Sequence, residues 1–303
     1  MSNWPEATLM RLLAATGIFL VAAVYLRGWR RLARPALPSG PGRATDPAST
    51  RGRLLFLAGL ALLAVALISP LGYLSTQYFS ARIVQHMLVV ASVPSLLMFA
   101  NPAPALVYGL PARAREATLA ALRRPADAPA TRLRRALHWA TAPGVTLLAF
   151  LCVCWFWYDP AIHNATLRHG WLHAVELLSL FGVGLLNWWH ITAAWPQTHT
   201  AMHPLVRIFY AFVSIWPVKL VGLVLLFFPD MGYAYPAGFQ LSGLDINDTN
   251  FGAMIAWIVS GLAYAVAAVA LARQWLGYEA DKPALPESAW ATDESMNVPG
   301  LKR

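Results

Sequence analysis

Seven predominantly apolar stretches divide the chain, at residues 8–26, 53–69, 82–100, 140–158, 170–193, 205–228 and 251–272. A helix rises about 1.5 Å per residue, so roughly 20 residues cross a hydrocarbon core about 30 Å thick. None of the stretches has the alternating ten-residue pattern of a barrel strand. The pattern predicts an all-α polytopic membrane protein, a seven-transmembrane-helix bundle over residues 1–277 followed by a polar cytoplasmic tail at 278–303. The Pro-containing stretch 34–50 reads as a solvated linker. No soluble domain or internal repeat is evident. The basic cluster follows the first apolar stretch rather than preceding it, and no small-residue cleavage site separates the two. That stretch therefore reads as a retained helix.

Polar residues break the apolar pattern at a few places. "TLRHGWLHAVELLSLFGVGLLNWWHI" (166–191) carries Arg168, His169, His173 and Glu176 near its start. On a helix, His169, His173 and Glu176 fall at i, i+4 and i+7 and share one face. The third stretch brings Arg82, Gln85 and His86, again on one face. Lys219 lies within the sixth, Asp248 at the mouth of the seventh, and His163 in the short loop before the fifth. By helical rise, Glu176 lies roughly 9 Å and Lys219 roughly 13 Å below the outer ends of their helices. One polar layer in the outer half of the bundle is expected, with Glu176 and Lys219 close enough to pair.

Ionisable groups at membrane depth are costly unless paired or facing a cavity. One reading is a structural ion pair, with histidines as hydrogen-bonded links between helices. The other is a metal layer, since imidazoles and a carboxylate suit copper or zinc. His138 and His190 fall at helix ends and read as interfacial. His199 and His203, with Met202, could form a second site but read better as a solvated loop. Cys152 and Cys154, at i and i+2, point to different helix faces and read as small buried hydrophobes.

Composition and charge sharpen the orientation. Residues are 58% hydrophobic and 12% charged, against about a quarter charged in a soluble protein. The net charge of +9 does not point to nucleic acid, because the basic residues cluster in two inter-helix segments. Residues 27–53 hold seven arginines against Asp46, and residues 101–139 hold seven against Glu116 and Asp127. Both segments are expected to be cytoplasmic. The stretch 229–250 has three aspartates and no basic residue, which suits the outer side. Together these place the N-terminus outside and the C-terminus in the cytoplasm. No nucleophile–base arrangement or phosphate loop points to an enzyme.

Four ordered motifs then carry a resemblance: "SPLGYLSTQYFSARIVQHMLV", "WFWYDPAIHNATL", "LHAVELLSLFGVGLLNWWHI" and "DTNFGAMIAWI". Over roughly residues 53–272 the chain resembles the seven-helix CtaG-type cytochrome c oxidase assembly proteins. The resemblance implies a multi-pass protein of the bacterial plasma membrane that helps deliver or insert copper into the catalytic subunit of a haem–copper oxidase. Its partners would be that subunit or its assembly intermediates, and the lipid bilayer. It points at Gln85, His86, His173, Glu176 and Asp248; His163 and His169 complete the candidate metal layer, with Arg82 and Lys219 near it. The chain departs from the family pattern at Arg82, Tyr158 and Leu177, each standing where the family commonly has histidine. Positive charge near a cation site disfavours metal binding, which favours an alternative: an accessory subunit that binds no metal. A haem b protein using His86 and His173, or an ion or proton translocator using Glu176 and Lys219, are further alternatives.

Overall fold

The computed structural model describes residues 4–33, 49–123, 131–200, 202–241 and 246–280. The expected tail and most of the expected 34–50 linker lie outside these residues. The architecture is helical, with one antiparallel pair of two-residue strands, β1 (Gln240–Leu241) and β2 (Ile246–Asn247). Among the described residues, six helical segments are long and apolar enough to cross a membrane, and a bent pair would make a seventh.

Helix α1 (Trp4–Leu32) packs on α2 (Thr50–Ile68) and on a short helix at Ala103–Gly109. A one-turn helix, α3 (Leu71–Leu74), leads to α4 (Phe79–Met87). The third span continues from α4 through a π turn, Leu88–Ser92, into α5 (Val93–Phe99). Pro94 explains the π turn: it has no N–H to give Val90, and its ring crowds that carbonyl, so the chain widens by one residue. The segment expected to be a plain basic loop, 101–139, contains α6 (Ala103–Gly109), α7 (Ala112–Arg123) and α8 (Arg132–Ala140).

The expected span at 140–158 is α9 (Pro143–Phe156), and α8 leads into it across a bend of 65°. The break falls at Thr141–Ala142, immediately before Pro143. The residue preceding a proline is pushed out of the α region, and Ala142 is extended (φ −63°, ψ 143°). Then come α10 (Pro160–Arg168), α11 (Gly170–Thr192), α12 (Pro204–Phe227) and α13 (Asp248–Ala280).

Two features hold these helices together where the site will form. The main apolar core is buried between α4, the π turn, α9, α11, α12 and α13, with Phe79, Ile83, Met87, Phe150, Leu180, Val221 and Ala253 at its heart. On the far side of the bundle, α1 and α6 cross with almost no gap. A Cβ added at Gly28 would lie 1.7 Å from the Ala105 carbonyl oxygen, and one at Gly109 would lie 1.9 Å from that of Val24. Only glycine permits this approach, which seats Tyr25 against Phe56 at 3.8 Å between rings.

Candidate functional site

The polar layer expected from sequence exists, but its pairing differs. Arg82, on α4, places its Nη2 2.7 Å from Glu176 Oε2 on α11, with both side chains fully buried. The same Nη2 donates to the Thr166 hydroxyl on α10, and Thr166 in turn donates to the His163 carbonyl at 2.8 Å. His86 Nε2 stands 3.2 Å from the other carboxylate oxygen, Oε1, without hydrogen-bond alignment. His86 Nδ1 meets the Tyr158 hydroxyl at 3.2 Å. The network thus ties α4, α10 and α11 to the α9–α10 junction.

A second set of bonds clamps α2. Gln85 donates from Nε2 to the Ala66 carbonyl at 2.7 Å, which fixes the amide's orientation. Its Oε1 must then accept, and His173 Nε2 donates to it at 3.1 Å. Gln85 and His173 act as links between α2, α4 and α11.

His163 does not sit in a loop. It lies on α10, fully buried, and α10 begins where Asp159 accepts hydrogen bonds from the backbone N–H of Ala161 and Ile162. Its Nδ1 is 3.0 Å from the Trp157 carbonyl, which can only accept, so Nδ1 carries the proton. Nε2 then accepts from the Tyr235 hydroxyl at 2.6 Å. Burial, with the nearby Arg82 guanidinium, pushes this imidazole down to about 3.

Tyr235 and Tyr233 come from the acidic stretch before α13, which folds over the layer. Tyr233 donates to the Tyr158 carbonyl at 2.7 Å, and its ring lies 4.8 Å from both Phe79 and His163. Asn164 holds this cover from both sides, donating to the Gly232 carbonyl and accepting from the Ala234 N–H, each at 2.8 Å. Sequence reading missed Thr166, Tyr233 and Tyr235. The alternating aromatics of "GYAYP" in an otherwise polar stretch were the available signal.

Four expectations are corrected. Glu176 does not pair with Lys219. Lys219 stands at the edge of the buried face of α12 (Ala211, Ser214, Val218, Val221, Gly222, Leu225), partly exposed beside α13. Its Nζ donates to the Trp257 carbonyl at 2.5 Å and lies 4.2 Å over the Trp257 ring. His169 is exposed and precedes α11 with extended backbone (φ −126°, ψ 107°), so helical i, i+4 spacing does not carry it onto the face of His173 and Glu176. Asp248 is not free to hold an ion. Its two oxygens accept from the backbone N–H of Phe79 at 2.7 Å and Ser80 at 3.3 Å, stabilising the first turn of α4. His86 and His173, the ligand pair of the haem alternative, have separate partners, since His173 meets Gln85 while His86 meets Tyr158 and Glu176.

At the other end of the bundle, His138 and His190, read as interfacial, meet His199, read as part of a solvated loop. His138 stacks on His199 with ring centroids 4.2 Å apart, and His190 lies 5.9 Å from His199. His203 begins α12 by accepting from the Leu205 N–H. Cys154 is buried as expected, but Cys152 is exposed, because i and i+2 point to different faces of α9 and only one of them meets the core.

The donor set does not fit a resident metal ion. Among the described residues no three His, Cys, Asp or Glu side chains converge on one point. Within the layer, a guanidinium already neutralises the carboxylate. What the arrangement can do is hold four helices and a cover segment in one register around a sealed ion pair. The sequence model of the cytochrome c oxidase caa3 assembly factor family (Caa3_CtaG) matches residues 23–277. No curated protein and no solved structure matches the chain.

Proposed function

The chain belongs to the cytochrome c oxidase caa3 assembly factor family, and from that membership we propose that it serves the copper-loading step of a haem–copper oxidase. It acts in a bacterial plasma membrane by docking the catalytic subunit or its assembly intermediates, with no catalytic chemistry of its own. Copper is cargo at that step and is not stored in the Glu176 layer. The observation that supports docking over storage is the carboxylate itself, with one oxygen 2.7 Å from Arg82 and the other 3.2 Å from His86. Any cation brought to Glu176 must displace or face a buried guanidinium.

One observation favours a second reading, transient copper(I) ligation. His86 Nε2 is buried without a hydrogen bond, which leaves one imidazole nitrogen to meet a soft cation. Two measurements separate the readings. Deleting the gene should lower assembled oxidase and its copper content in copper-limited medium; unchanged oxidase would remove the assembly role. The purified protein should carry no stoichiometric copper. Stoichiometric copper that His86→Ala abolishes would replace docking with ligation.

A further inference from the structure

Lys219 is the residue the network leaves over. It lies eight residues inside the Phe227 end of α12, about 12 Å at helical rise, and it is partly exposed at the edge of the α12–α13 seam. A cation there is costly in lipid unless something receives it. Among the described residues its contacts are a backbone carbonyl and the face of Trp257, which leave donors of the ammonium unused.

Gly261 shapes the place. A Cβ there would lie 3.0 Å from the lysine Nζ, so the glycine leaves the ammonium its slot on α13. The rest of the face is apolar. Trp216 and Leu223 share it with Lys219 by i−3 and i+4 spacing, and Ile258 and Leu262 stand beside Trp257 and Gly261 on α13, all of them exposed. A single cation set among exposed apolar side chains is complementary to an apolar helix bearing a single anion.

This chain does not supply that anion from its described residues. The carboxylates within its candidate spans are Glu176 and Asp248. The first is sealed against Arg82 and His86, and the second holds the start of α4. A second copy therefore offers no described carboxylate at this depth.

We propose that the α12–α13 face around Lys219 docks a transmembrane helix of another membrane protein, one that carries a carboxylate at the depth of the lysine. An ion pair formed there shields both charges from lipid and fixes the depth and rotation of the incoming helix, while the apolar neighbours supply packing. That the helix belongs to an oxidase subunit rests on the proposed function; the surface does not.

The test uses the purified full chain in vesicles of zwitterionic lipid. The probe is a leucine–alanine transmembrane peptide with one glutamate at matching depth, compared with its glutamine twin, and association is read by energy transfer. The glutamate peptide should bind about tenfold more tightly than the glutamine peptide. Lys219→Met should abolish the difference and Lys219→Arg should keep it. Because Lys219 lies outside the core, both variants should fold, which circular dichroism and gel filtration check. Equal binding of the two peptides, or a preference that survives Lys219→Met, overturns the proposal. Loss of the preference in vesicles rich in phosphatidylglycerol would assign the ammonium to lipid headgroups and overturn it as well. Oxidase activity plays no part in the readout, so failure of the assembly role leaves this result intact.

Discussion

Arg82 and Glu176 are buried together, so each determines what the loss of the other costs. Truncating one partner strands a charge where water cannot reach it, and such changes cost about 3–5 kcal/mol. Arg82→Met and Glu176→Gln should each destabilise the protein by that order, and the double variant should recover much of the loss. Thermal unfolding of the three proteins in one detergent gives the coupling energy; strict additivity would mean the 2.7 Å contact contributes nothing. His163 adds a pH dependence of definite sign. Folded, its imidazole titrates at about 3 against an ordinary 6.5, held neutral among the Trp157 carbonyl, Tyr235, Tyr233, His86 and Arg82. Between those values the unfolded chain binds the extra proton, so stability is complete above pH 6.5 and falls as pH drops toward 3. Unfolding midpoints measured from pH 7 to pH 4 should fall less steeply in His163→Gln than in the parent. At this scale the sequence showed which residues share a depth, because helical rise is fixed. It did not show which way each one turns. Lys219 and Glu176 have similar depths, but Lys219 is one residue off the buried stripe of α12, a rotation of about 100° at 3.6 residues per turn.

Among the elements, the two least regular ones owe their form to proline. Pro94 opens the π turn in the third span, and Pro143 sets the 65° bend between α8 and α9. The positions of the apolar stretches predicted where the spans run, because hydrophobic length is a strong signal. They did not predict the bend, the three helices within 101–139, or the cover carrying Tyr233 and Tyr235, since these depend on contacts between distant segments. The α1–α6 crossing is another such contact. With 1.7 Å between a Cβ at Gly28 and the Ala105 carbonyl oxygen, the helices must separate before any side chain fits. Gly28→Ala should therefore destabilise the protein by about 3 kcal/mol, the upper end of overpacking costs. Gly17→Ala, on the same helix with nothing within 4 Å of its Cβ, should be close to neutral. Equal melting temperatures for the two variants would show that the crossing does not tie α1 to the bundle.

For the whole molecule, the open number is six spans or seven, and charge settles which to expect. The segment 101–139 is arginine-rich, whereas 229–250 holds three aspartates and no basic residue, so the two are expected on opposite sides of the membrane. Between them lie α11 and α12, which cross twice and alone would return the chain to the same side. Opposite sides therefore require a third crossing by the bent pair α8–α9. Helix α9 has 14 residues, about 21 Å by helical rise and short of a full hydrocarbon core. The remainder has an explanation at each end. Helix α8 carries three arginines with Leu133, Leu137 and Trp139 exposed, a composition that suits lying in the interface plane. At the other end α10 lies beyond the span and caps it, with His163 and Thr166 buried against the polar layer. In a background lacking Cys152 and Cys154, cysteines at the exposed positions Arg113 and Gly238 should react oppositely with an impermeant thiol reagent. Gly238→Cys should label in intact cells, and Arg113→Cys only after the membrane is opened. Labelling of both from the same side would make the bent pair a re-entrant segment and leave six spans, with both ends of the described chain on one face of the membrane.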